Sequence, residues 1–374
     1  MWRIIEVTGL SGAYSTRLLA EAGHDVIRVE PPQGDNVRRL GPFLGNEPNL
    51  ESAAYHQFLN AGKRSMTLDL QSSSGGKLFL DMLKKADALV INTPFPVEEK
   101  ELMEVKPNLV LTKVVEEDPE LCAFARSGLL SLTGHPDRQP VLLGGHLIYL
   151  AAGLYVAVAT ATALWALKLT GKGQVATVSF RQCLETFVEQ ALIEYTFSGT
   201  KTERRGSRGG ITPISGAMPC KDGYWVISQM SKKDRWPEFV EWVQDPELAA
   251  DPSLAQEENQ IKKRDFIIDR LQAWANRFTK SELVEEGQKR AFPVSPVSTP
   301  LELAQDPQLV ARGFLTEIEH PLFGRIMFPQ GAIASILGTR LHPAPNLGEN
   351  NAEILAELGY SGADYQALLE SGAM

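Results

Sequence analysis

A chain of 374 residues, 43% hydrophobic and 22% charged, is long enough for one large core and a smaller second one. Its net charge of −9 disfavours nucleic acid or an anionic membrane as a general partner, although local basic patches can still hold phosphates. Cys122, Cys183 and Cys220 are scattered without CxxC spacing, which fits a reducing cytoplasm and offers no metal signature.

The β-branched run Arg3–Val7, the helical pattern Ser15–Ala22 stopped by Gly23, and the strand pattern Asp25–Val29 together predict a βαβ unit, the building block of a parallel sheet. Nothing in this opening stretch resembles a signal peptide, because the strand-like run begins at Arg3. The glycine-bearing loop Thr8–Tyr14 suits an anion at a helix N-terminus but lacks the spacing of a dinucleotide fingerprint. A turn-rich connector runs from Glu30 to Arg38 and Arg39. Strands at Ser65–Leu70, Ala88–Asn92 and Asn108–Val114 alternate with helices at Gly75–Lys85 and Glu98–Val105, which continues the α/β pattern.

Leu142–Leu167 carries no formal charge and is long enough to span a bilayer. Gly144, Gly145 and His146 open it, Thr160 and Thr162 interrupt it, and the strand Gln174–Phe180 follows. It is therefore read as a buried core helix, apolar on all sides. A helix over Gln182–Thr196 comes next. Residues 198–217 form a Gly/Arg/Ser-rich linker or flap, and 218–298 a smaller α+β domain. Residues 1–197 and 299–374 make up the large domain, with a hairpin about Phe314–Met327 and a helical tail.

No protease, kinase or Walker signature is present. Of the six histidines, His146 reads as a satisfied core residue, and His24, His56, His135, His320 and His342 as solvated turn residues. Composition and pattern alone stop at an enzyme-like α/β protein.

Segments along nearly the whole chain resemble family III CoA-transferases, the CaiB/BaiF group that includes formyl-CoA, carnitine and succinyl-CoA-dependent transferases and α-methylacyl-CoA racemase. They are Ser11–Glu30 into EPPQGD, NAGKRSMTLDL (60–70), ADALVIN (86–92), SGLLSLTG (127–134), AAGLY (151–155), TGKGQVATVS (170–179), CKDGYWVIS (220–228), PVSPVSTPLELAQDPQLVARGFLTEIEHPLFG (293–324) and PNLGENNAEILAELGY. The resemblance implies an α/β fold: a Rossmann-like parallel-sheet large domain plus a smaller α+β domain, in a dimer whose subunits interlock as rings. It also implies coenzyme A or an acyl-CoA as substrate, with no covalently bound cofactor and no metal.

In active members an aspartate four residues before the glycine of the AAGLY-like segment attacks the acyl-CoA, which splits the exchange into easier steps. That slot holds Tyr149 here, and a phenol with an ordinary pKa of about 10 is a poor nucleophile at neutral pH. The racemase branch uses the same aspartate. Other departures agree: the glycine-rich segment is reduced to Val114–Pro119, an Arg expected after Asn92 is absent, and a Lys after LDL is Gln71. Each removes a phosphate contact worth about 1.5–3 kcal/mol. The resemblance leaves Arg17, Arg38 (with Arg39 one residue away), Leu68, Leu70 and Asn92 as CoA-binding candidates.

The first reading is a non-catalytic subunit of a heteromeric CoA-transferase, cytoplasmic, partnered by a homologous Asp-bearing chain and engaging neither nucleic acid nor membrane. The second is a self-sufficient transferase, racemase or isomerase that uses another carboxylate, Glu120 or Glu185. The third is a CoA-binding regulatory protein. The flap, about Gly206–Gly216, would set the acyl groups exchanged.

Overall fold

The computed structural model describes residues 1–208, 214–228, 235–339 and 342–374. The central part of the proposed flap, 209–213, lies outside the described residues. The chain forms two compact units: Met1–Leu129 with Leu143–Gln190 and Asp306–Met374, and Leu130–Leu142 with Ala191–Gln305. The stretch 130–142, placed in the large domain on sequence grounds, groups with the second unit.

The first unit is built on strands β1 (Arg3–Val7), β2 (Asp25–Glu30), β3 (Arg64–Thr67), β4 (Ala88–Thr93), β5 (Val110–Val115) and β6 (Gln174–Ser179). They form one parallel sheet in the order β3-β2-β1-β4-β5-β6. Its helices are α1 (Leu10–Glu21), α2 (Ala54–Asn60), α3 (Ser73–Lys84), α4 (Glu99–Val105), α5 (Glu120–Arg126), α7 (Leu147–Thr170) and α8 (Phe180–Glu185), while the short α6 (Leu129–Leu132) falls almost wholly in the second unit.

The central strands are apolar on both faces because both are covered. Ile5, Ile27, Leu89, Ile91 and Leu111 meet Leu78, Phe79, Met82 and Leu83 of α3 on one side. Their neighbours Ile4, Val26, Ala88, Val90 and Val110 meet Val156, Ala163, Leu164 and Leu167 of α7 on the other. The period of two in the strands is what sends alternate residues to the two layers.

α7 crosses α1 at Gly153, the glycine of the AAGLY segment. A Cβ there would lie 2.7 Å from the Ser11 carbonyl oxygen and 3.1 Å from Tyr14, so only glycine permits this approach. The helix departs from the sequence expectation on its other side. Leu154, Val158, Trp165 and Leu169 are exposed, spaced by four, seven and four residues along one face. A sheet-covering helix buries one stripe only, and here the opposite stripe is apolar as well. By length and composition it could cross a membrane, with 39% of its apolar window buried.

The second unit holds an antiparallel sheet, β7 (Gly216–Cys220), β8 (Gly223–Ile227) and β9 (Val294–Pro296). Fully buried Trp225 meets Trp242 and Trp274 edge-on, and Phe239 and Phe292 complete this aromatic core. The chain re-enters the first unit through the hairpin β10 (Leu315–His320) and β11 (Gly324–Pro329).

The helix Asn351–Leu358 then closes the edge of the parallel sheet. The Asn351 side chain accepts from the Thr67 amide at 2.9 Å and donates to the Thr67 hydroxyl at 2.8 Å, while Asn350 accepts from the Ser65 amide at 3.0 Å. These side chains cover the exposed edge of β3.

Two histidines expected in solvated turns are core residues. His56 lies fully buried in α2, and His320 is 2% exposed at the end of β10, because each is held between elements distant in sequence.

Candidate functional site

In a sheet of this order the connections reverse direction between β1 and β4, which opens a crevice at the C-terminal ends of those strands. The loop after β1 enters it. The Gly9 amide donates to the Asn92 side-chain oxygen at 2.8 Å, tying the N-terminus of α1 to the end of β4. The Ser11 hydroxyl donates to Glu116 at 2.6 Å, across to the residue that follows β5.

The segment after β5 is strongly acidic, and each carboxylate has its own partner. Glu117 accepts from the Ser179 hydroxyl, and Asp118 lies 2.9 Å from Arg126 and 3.7 Å from Arg181. Glu120, first residue of α5, lies 3.1 Å from Nδ1 of His146. A carboxylate has only acceptors, so Nδ1 donates this bond, and in the neutral ring Nε2 then holds the lone pair.

His146 caps the start of α7 with a left-handed backbone, φ 54°, uncommon for a residue with a side chain. Its ring meets Tyr55 edge-on at 5.2 Å and Tyr149 at 5.9 Å. The side chain is 34% exposed, so the core-residue expectation for His146 is corrected: it is half-buried at the head of α7. Tyr149 stacks on Phe180, with ring centroids 4.8 Å apart. Burial raises its phenol above the ordinary value, and the negative charges of Glu116 and Glu120 add to the rise. The phenol is neutral across the physiological range.

The expected CoA-binding residues do not gather around this cluster. Arg17 is 2% exposed, its guanidinium 3.9 Å from the centre of the Phe58 ring and bonded to Glu21 at 2.9 Å and the Phe58 carbonyl at 2.6 Å. Arg38 is completely buried, bidentate to Glu30 at 2.7 and 2.8 Å and bonded to Glu51 at 2.7 Å. Both guanidinium groups are spent inside the fold. Arg39 donates to the Gly34, Asp35 and Gln33 carbonyls. Leu68 is buried and Leu70 half-buried in the α3 core. Only Asn92 reaches the crevice, where Gly9 occupies its oxygen.

Of the fallback carboxylates, Glu120 joins the cluster. Glu185 is exposed on α8 and pairs with Arg181 at 3.4 Å. Among the described residues no group of three or more His, Cys, Asp or Glu is placed to hold a metal ion.

Sequence reasoning missed His146, Glu116 and Ser11 as site residues. The Gly-Gly-His run before an apolar helix could have marked a helix cap. The pairing of Ser11 with Glu116 spans 105 residues and leaves no local trace.

A six-stranded parallel sheet in this order, interrupted in sequence by a second unit, defines an α/β protein of the doubly wound, Rossmann-like class. The model of CoA-transferase family III matches residues 2–351. The chain is 30% identical to the succinyl-CoA:(R)-benzylsuccinate CoA-transferase subunit BbsE of Thauera aromatica, over all of this chain and 97% of that protein. It is 26% identical to the formyl-CoA:oxalate CoA-transferase of Streptomyces coelicolor, over all of this chain and 98% of that one. A CAIB/BAIF family protein from Brucella suis shares the fold, with a TM-score of 0.79, 24% identity and coverage of 96% of this chain and 98% of its own. The chain belongs to CoA-transferase family III.

Proposed function

We propose that this chain is the non-nucleophilic subunit of a heteromeric family III CoA-transferase, which moves CoA between an acyl-CoA and a carboxylic acid. Its partner would be a homologous chain that carries the aspartate, and the assembly would be cytoplasmic. The observation that carries this reading is Tyr149: on the family spacing it stands in the aspartate slot at the head of α7, and its environment keeps the phenol protonated. A protonated phenol does not attack a thioester at neutral pH.

Two further points support the reading. BbsE is itself described as a subunit. The exposed apolar stripe of α7 is the kind of surface an obligate partner covers, as an interlocked-ring oligomer would. In such an assembly this chain shapes the pocket and the partner supplies the reacting carboxylate.

The test is co-expression with an Asp-bearing homologue. A stable mixed oligomer that transfers CoA is expected, while the purified chain alone gives none. CoA transfer by the chain alone, or its recovery only as a homodimer in the presence of such homologues, would overturn the reading.

A further inference from the structure

We propose that the Glu120–His146 pair is an oriented general base that lets this chain hydrolyse thioesters by itself. The proposal rests on the geometry at the head of α7 and not on the transferase reading.

Glu120 fixes Nδ1 of His146 as the protonated nitrogen, and among the described residues nothing hydrogen-bonds Nε2. A carboxylate behind an imidazole is the arrangement that turns the far nitrogen into a base and holds the ring in place. The titratable groups that face His146 are Glu120 from α5, Tyr55 from α2 and Tyr149 from α7. The left-handed backbone at His146 is a conformation that persists where surrounding structure enforces it, and it concentrates at functional sites.

Hydrogen-bond donors for a developing oxyanion belong to the helix start that His146 caps. The first amides of α7, at Leu147 and Ile148, have no intrahelical acceptor, and the helix dipole adds positive potential there. The Tyr149 ring lies 5.9 Å from the His146 ring, and its neutral phenol is a further donor at this end of α7. The His146 side chain is 34% exposed and Gly144 and Gly145 before it are exposed, so water and a small thioester reach the ring from solvent.

The reaction balances with water as the co-reactant. Nε2 takes a proton from water as its oxygen bonds to the thioester carbonyl carbon. The tetrahedral intermediate collapses, the C–S bond breaks, and the imidazolium returns the proton to the leaving thiolate. One acid and one thiol result. His146 is the catalytic residue here and Glu120 a positioning residue.

The probe is S-acetyl-N-acetylcysteamine, a thioester without phosphates, with acetyl-CoA in parallel and free thiol as the readout. Thiol release above the buffer rate is expected from the full chain. His146→Ala should lower kcat by about a hundredfold or more with KM little changed, and added imidazole should restore part of it. Glu120→Gln should lower kcat about tenfold, again with KM held, whereas a purely structural role would move both. His146 is partly exposed, so an unchanged circular dichroism spectrum is expected of its variant.

A wild-type rate equal to buffer, equal rates for wild type and His146→Ala, or trapping of an acyl group on Glu120 by hydroxylamine would each overturn the proposal. Failure of the subunit reading is seen separately. A new thioester formed from an added carboxylic acid has a mass that hydrolysis never produces.

Discussion

Arg38 shows how a residue that resembles a ligand-binding arginine can be absorbed by the fold. Its Nη1 bonds Glu51 and the Leu50 carbonyl, and Nη2 reaches the Pro345 carbonyl at 3.3 Å as well as Glu30. Removing it takes the bidentate partner from the buried Glu30 carboxylate and leaves Arg28, 3.8 Å away, so Arg38→Ala should cost about 3–5 kcal/mol, read from urea unfolding. Burial alone would raise the Glu30 carboxyl, but the hydrogen bond to Arg38 and the charges of Arg28 and Arg38 outweigh it and bring it to about 2. His56 also falls below its ordinary value, but for a different leading cause. Burial, with Arg38 beside it, lowers it to about 3, and its Nε2 donates to the Pro345 carbonyl at 3.1 Å.

Both groups bind fewer protons in the folded than in the unfolded chain, so both lose stability on acidification. His56 acts as pH falls from about 6.5 towards 3, and Glu30 from about 4.5 towards 2. The melting temperature should therefore decline steadily below pH 6.5, and His56→Gln should flatten the part above pH 4.5. An unchanged profile in that variant would assign the loss to other groups. None of this was visible in the sequence. The spacing after EPPQGD put Arg38 near a phosphate, but Glu51 and Pro345 lie 13 and 307 residues away from it.

At the scale of elements, the strands were legible and the helix faces were not. Val, Ile and Leu runs bounded by turns suffice to mark buried parallel strands, and the observed β1, β2, β4 and β5 fall within two residues of their expected bounds. The α8 region differs: the expected helix over Gln182–Thr196 is broken at Thr186–Val188 by a 3-10 turn. The AAGLY glycine was legible as a family mark, but its physical reason is the α1–α7 crossing. Gly153→Ala should push the two helices apart and cost about 1–3 kcal/mol, measured by thermal melting. The closing PNLGENN motif has an equally concrete role. Asn351→Ala deletes both bonds to Thr67 on the edge strand, for a loss of about 1–3 kcal/mol.

For the whole molecule, the apolar stripe of α7 decides between a chain that works alone and one that does not. Leu154, Val158, Trp165 and Leu169 are each about half exposed or more, so a charge placed among them costs the isolated chain little. The same charge covered by a partner would be buried without a counter-ion, which costs several kcal/mol. Val158→Glu with Trp165→Glu should therefore leave the fold intact by circular dichroism while weakening a mixed oligomer by about a hundredfold or more, read by sedimentation at equilibrium. A sequence could not foretell this, because a helix apolar all round is equally consistent with a core, a membrane and an interface. The sheet fixes which face is already used, and the double variant then separates the remaining cases. If it assembles with an Asp-bearing homologue as tightly as wild type, the exposed face of α7 is not where the subunits meet, and the subunit reading loses its structural support.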